Sequence, residues 1–216
     1  MATAAATTFV RPTSALSRDD VAFAGGKGAN LGELTRAGFP VPTALVIGAP
    51  AYAAFCEAND LRGRLAEVLS ELDVDDPGAL EAAAAAAREL VLSEPMPPEV
   101  ERAATADVAH LTDGGALPVA VRSSATAEDT ASASFAGMNE SFLNVRGVDE
   151  VLDAVRRCWA SLFGARSIFY RAERGLGQAE MDIAVVVQRQ IDSTRAGVMF
   201  TVDPATRATR SGSPAP

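Results

Sequence analysis

The sequence predicts a mixed α/β (α+β) domain, because short β-branched runs alternate with longer segments whose apolar residues recur at helical spacing. Residues 43–47, 119–121 and 183–187 carry the strand signal, being nearly continuous Val, Ile, Leu and Ala. Residues 148–163 carry the clearest helix signal: Val148, Val151, Leu152, Val155, Trp159, Leu162 and Phe163 share one stripe, with Asp153, Arg156 and Arg157 off it.

In chain order, residues 1–20 read as a loose N-terminus, and residues 24–30 as a glycine-rich turn entering a short helix that stops at Gly38. Pro40 and Pro42 enforce an extended entry to the strand at 43–47. Residues 51–72 read as two helices broken near Gly63. Asp76 is placed as an N-cap, with Pro77 at the first helical position of an alanine-rich helix reaching about Leu92. Another helix covers 99–111, and Gly114 and Gly115 turn the chain into the strand that begins at Val119. Residues 183–187 and 197–202 read as a hairpin across Asp192-Ser193-Thr194-Arg195, and the Gly, Ser and Pro-rich tail at 207–216 as disordered.

Composition excludes several function classes. The chain has 216 residues, 48% hydrophobic and 22% charged, with a formal net charge of −9. Without a lysine-rich face, that balance argues against a nucleic-acid partner. No run of about 18 apolar residues predicts a membrane span. Residues 1–8 lack the basic and apolar regions of a secretory signal, so a cytoplasmic location is expected. Cys56 and Cys158 fit no metal or redox spacing and read as reduced and structural. His110, the sole histidine, reads as a solvated or capping residue, and no G-x-S-x-G supports a serine hydrolase.

Two stretches carry chemistry. Gly25-Gly26-Lys27-Gly28-Ala29-Asn30-Leu31-Gly32 sets a lysine in a glycine loop at a helix N-terminus, where free N–H groups and the dipole favour phosphate. It matches neither G-x-x-x-x-G-K-[ST] nor G-x-G-x-x-G, and read alone it equally describes a turn with a solvated lysine. Val119-Ala120-Val121-Arg122-Ser123-Ser124, followed by small residues through Gly137, delivers a guanidinium from a strand end into a loop able to close on phosphate oxygens. Arg122 could instead pair with Glu128 or Asp129. Gln188 ends an apolar strand with an amide that either reads an adenine edge or satisfies the strand end.

Taken in order, Gly25 to Pro42, Val119 to Asp129, Ser134-Phe135-Ala136-Gly137, Cys158 to Phe163, Val187-Gln188-Arg189 and Gly197-Val198-Met199-Phe200-Thr201 resemble the N-terminal ATP-binding domain of the phosphoenolpyruvate-utilising dikinases. That family includes phosphoenolpyruvate synthase, pyruvate phosphate dikinase and rifampicin phosphotransferase. The resemblance covers residues 21–206 and implies an ATP-grasp-like fold that clamps ATP between two subdomains. It implies that Lys27 and Arg122 bind the phosphates, Gly137 lends its backbone above them, Ser141 adds a hydroxyl, and Gln188 lies by the adenine.

The resemblance also implies magnesium, held by acidic and amide residues in a stretch after 197–203 that this sequence does not contain. No catalytic residue is assigned, because His110 matches neither the position nor the surroundings of the family's phosphocarrier histidine. The expectation is therefore the ATP-binding portion of a phosphoenolpyruvate synthase-like phosphotransferase (pyruvate, water dikinase-like), truncated and catalytically incomplete alone. Its partner would be a separately encoded swivelling portion. A rifampicin phosphotransferase-type domain is the alternative, and a non-catalytic truncated or split nucleotide-binding chain is the alternative of another class.

Overall fold

The computed structural model describes residues 7–126, 129–130, 133–134, 140–178, 181–198 and 202. Strand β1 (Val10–Pro12) leads into α1 (Val21–Arg36), β2 (Ala44–Ile47), α2 (Ala49–Ala58), α3 (Leu61–Val68), α4 (Pro77–Ser93) and α5 (Pro98–Leu111). The chain continues through β3 (Val119–Ala125), β4 (Asp129–Thr130), β5 (Ala133–Ser134), β6 (Ser141–Val145), α6 (Gly147–Ala160), α7 (Ala165–Glu173) and β7 (Ile183–Arg189). Five strands form one antiparallel sheet in the order β1-β2-β7-β3-β6, and β4 pairs with β5 in a separate ribbon.

The last of the described strands in sequence is thus the middle strand in space. Val185, Val186 and Val187 are 0% exposed, so β7 is covered on both faces and reads as an unbroken apolar run instead of an alternating one. The expected hairpin between 183–187 and 197–202 does not form. β7 already pairs with β2 along one edge and β3 along the other, which leaves no edge for the following segment. Gly197 and Val198 lie outside any strand, and residues 199–201 lie outside the described set.

Helices α2 to α7 supply the main core on one face of the sheet, where Leu45, Ile47, Val119, Val121, Ile183, Val185 and Val187 point. The Trp159 ring centre lies 4.8 Å from Phe55 and 5.7 Å from Tyr52, so the stripe read on α6 anchors this layer. Burial pushes the Cys158 thiol up to about 12, which makes it a packing residue. The opposite face carries a smaller apolar cluster, Ala44, Val46, Ala184 and Val186, packed under Ala24 of α1 and under Leu16 from the turn before it.

Several boundaries moved for physical reasons. The break between α2 and α3 falls at Asp60, which takes a left-handed backbone, and Gly63 lies inside α3. Helix α7 and strand β6 were not legible in the sequence. α7 is short and is tied by the fully buried Arg171, which donates to the Leu162 carbonyl at 2.7 Å and to Gln178 Oε1 at 2.8 Å. β6 is a mostly exposed edge strand that bulges at Asn144, whose N–H is held by Gln190 Oε1. Asp76 caps α4 as its sequence position requires, accepting from the N–H groups of Gly78 and Ala79 at 2.8 and 3.2 Å.

Residues 10–20, expected to be loose, are built into the domain. β1 pairs with β2, Leu16 is fully buried, and the Arg11 guanidinium lies 4.4 Å from the centre of the Phe23 ring. Asp20 closes a capping box, its Oδ2 accepting from Ser17 N at 2.8 Å and Ser17 Oγ at 2.9 Å. These bonds hold the Asp20 carboxyl below its usual range, with the Arg11 charge as a smaller contributor.

Asp20→Asn is expected to cost about 0.5 kcal/mol at neutral pH, the scale of a carboxylate charge in the first turn of a helix. A carboxyl with a lowered folded pKa stabilises above its unfolded value and loses that contribution as pH falls through the folded one. The wild-type advantage in urea denaturation should therefore be full at pH 7, shrink below about pH 4 and vanish at lower pH.

Candidate functional site

The described residues cover the α1 side of the sheet only in part, and the part they leave open gathers most of the residues singled out in the sequence. Register places them in rows. Gln188 faces Ala44 and Ala120; one repeat along, Val186 faces Val46 and Arg122, and Arg122 faces Ser141; one repeat further, Ala184 faces Ser124. Directly opposed residues of antiparallel strands share a face, so Gln188, Arg122, Ser141 and Ser124 all lie on this side. Two steps of two residues each span about 14 Å from the Gln188 row to the Ser124 row.

Lys27 joins them from above. Helix α1 starts at Val21, ten residues before the expected periodic stretch, and its glycines are helical except Gly25, whose φ of 65° and ψ of 173° interrupt the helix. Glycine permits the close approach as well as the angle: a Cβ on Gly28 would lie 3.2 Å from Val46 Cγ2. At the interruption Ser124 Oγ donates to the Ala24 carbonyl at 2.8 Å and accepts from the Gly28 N–H at 3.2 Å. Lys27, half-buried, therefore leaves the helix one residue from a contact with the Ser124 row.

Arg122 is half-buried, Ser141 is exposed, and Gln188 is 9% exposed with its Nε2 donating to the Pro42 carbonyl at 3.2 Å. The amide thus ties β7 to the entry of β2. Gly137 lies outside the described residues. Sequence reading did not single out Ser124, whose role needs the fold. It also passed over a signal in composition: Lys27 is the one lysine in a chain with 19 lysine and arginine residues.

A hollow of about 310 Å³ lies elsewhere, lined by Pro12, Thr43, Asp107, His110 and Arg189 beside the C-terminal turn of α5, and it includes none of the expected site residues. His110 is exposed in that turn. Among the described residues no group of three or more His, Cys, Asp or Glu is placed to hold a metal ion. Among them, too, no helix is long and apolar enough to cross a membrane.

Residues 21–212 match the family model described as the pyruvate phosphate dikinase AMP/ATP-binding domain. The chain is 47% identical over 194 residues to a probable phosphoenolpyruvate synthase of Methanothermobacter thermautotrophicus, covering 88% of this chain and 28% of that protein. It is 40% identical over 233 residues to the phosphoenolpyruvate synthase of Pyrococcus furiosus, covering 92% of this chain and 28% of that one. A rifampicin phosphotransferase of Streptomyces is 42% identical over 183 residues, covering 84% of this chain and 21% of the relative. The chain thus spans about a quarter of the length of these curated relatives.

The seat of α1 can be probed by comparing two glycines with positive φ. Gly25→Ala drives a Cβ into the Ser124 carbonyl, whereas Gly38, with φ of 80°, has open space around the same position. In urea denaturation Gly38→Ala should cost about 1 kcal/mol, and Gly25→Ala about 3 kcal/mol or more. Equal losses would mean that backbone angle alone matters and that α1 is not locked against β3.

Proposed function

Because the chain belongs to the pyruvate phosphate dikinase AMP/ATP-binding domain family, we propose that ATP lies along the α1 side of the sheet. Its adenine meets Gln188, and its phosphates meet Arg122, Lys27 and Ser141, with the backbone of Gly137 over them. The observation that carries this reading is the order of the rows: amide at one end, guanidinium in the middle, glycine turn and lysine at the other, over about 14 Å. A base, a ribose and a phosphate chain laid in line need that order.

The chemistry of the cations fits their places. A guanidinium offers a planar fork for two phosphate oxygens, and an ammonium is a compact charge that can follow a moving phosphoryl group. Both are set before the nucleotide arrives, Arg122 by strand pairing and Lys27 by the packed helix, so little reorganisation is needed as charge develops. In a chain where every other permanent cation is arginine, the single lysine occupies the position where a point charge is required.

The whole protein's activity follows as a proposal from the relatives. We assign this domain the ATP half-reaction of a phosphoenolpyruvate synthase-like phosphotransferase, with the phosphoryl acceptor and the phosphocarrier histidine supplied beyond these 216 residues, in the same polypeptide or in a partner chain. Magnesium would accompany the triphosphate. Among the described residues no group of three or more His, Cys, Asp or Glu is placed to hold it.

The single lysine makes the test direct. Apart from the N-terminal amine, an amine-acylating reagent has only Lys27 to modify, and the product is read by peptide mass. Saturating ATP should slow Lys27 acylation about tenfold, and adenosine should not. Calorimetry should show Arg122→Ala binding ATP about tenfold to a hundredfold more weakly, the worth of one or two charged hydrogen bonds. Lys27 acylated at the same rate with and without ATP, or Arg122→Ala binding as tightly as wild type, would overturn the assignment.

A further inference from the structure

The interruption at Gly25 divides α1 into a short first segment and a second helix that starts afresh. A helix start leaves N–H groups with no intrahelical acceptor, and the residue at its N-cap normally supplies one from a side-chain oxygen. Gly25 occupies the N-cap position of the second segment and has no side chain. Counting from it, Lys27 is the second helical residue and Gly28 the third, whose N–H is the usual partner of a capping oxygen.

That oxygen comes from another strand. Ser124 Oγ accepts from the Gly28 N–H at 3.2 Å and donates to the Ala24 carbonyl at 2.8 Å, so one hydroxyl bridges both sides of the break across 100 residues of sequence. Ser124 is 0% exposed, so both bonds lie out of reach of bulk solvent. Ser124 also sits two residues from Arg122 on the same face of β3, about 7 Å away.

We propose that Ser124 is a positioning residue for Lys27, a helix cap supplied from β3 that sets the lysine in register with Arg122. The hydroxyl makes the placement of one cation depend on the strand that carries the other, so the two present a single phosphate-facing pair. Its neighbour Ser123 points to the other face, where its hydroxyl donates to the Glu140 carbonyl at 3.2 Å, and serves as the control. The consequence for nucleotide affinity rests on the ATP reading above; the consequence for Lys27 itself does not.

The first measurement is the rate of Lys27 acylation without nucleotide. Folded Ser124→Ala should change that rate about threefold or more, and Ser123→Ala should leave it as in wild type. The second is a double-mutant cycle on ATP affinity. Ser124→Ala should weaken ATP about tenfold when Lys27 is present, have no further effect in Lys27→Ala, and leave adenosine binding unchanged.

Unchanged Lys27 reactivity in folded Ser124→Ala, or additive losses in the cycle, overturns the proposal. If ATP does not protect Lys27 in the wild type, the nucleotide reading fails, and the reactivity measurement alone decides the role of Ser124. Should Ser124→Ala not fold, hydrogen exchange in the wild type decides: the Gly28 amide must be protected as well as those of β7, and rapid exchange there rejects the cap.

Discussion

The pairing of β7 along both of its edges is the constraint on which the rest of this molecule depends. One seven-residue strand sets the register of β2 on one side and of β3 on the other, so the positions of Gln188 and Arg122 relative to each other are fixed by a single ladder of backbone bonds. Strand β6 adds Ser141 through its own pairing with Arg122, and β1 closes the far edge. Shifting β7 by one residue would exchange its faces and bury Gln188 among the large apolar side chains of the main core. The site therefore inherits its order from the same hydrogen bonds that hold the sheet.

The two faces of that sheet have different tasks. One is sealed by six helices around Trp159, Phe55 and Tyr52, and it contains groups whose chemistry burial has suppressed: the Cys158 thiol is pushed up to about 12 and the Arg171 guanidinium down to about 10. Among the described residues Arg171 pairs with no carboxylate; it ties the Leu162 carbonyl, just after α6, to the Gln178 amide beyond α7. Among the described residues the other face is covered by the glycine-rich α1, which comes close to the strands at Gly25 and Gly28, and by the turn that carries Leu16. Most of the buried apolar side chains lie on the first face, and Arg122 and Lys27 on the second are only half-buried.

Much of the fold was readable from local chemistry. Asp76 before Pro77 is a cap wherever it occurs, the apolar stripe from Val148 to Phe163 can only be a buried helix face, and a run such as residues 183–187 asks for a strand covered on both sides. Lys27, Arg122, Ser141 and Gln188 were visible as chemical types at suggestive positions. What was not readable depended on partners distant in sequence: β1 is three residues long and exists because β2 is beside it, β6 is too exposed to show a pattern, and the supposed hairpin failed because both edges of β7 were already taken.

The sequence by itself determined the element types, the apolar faces and the residue kinds able to meet a phosphate and a base, since those follow from periodicity, capping and side-chain chemistry within a few residues. Only the tertiary structure decided that three of those residues share one side of one sheet with Lys27 on the helix packed over it, and that the glycine turn is a helix capped from another strand. The physical reason is distance along the chain: Ser124 and Ala24 are 100 residues apart, and no local preference can specify a hydrogen bond that exists only after the strands have paired.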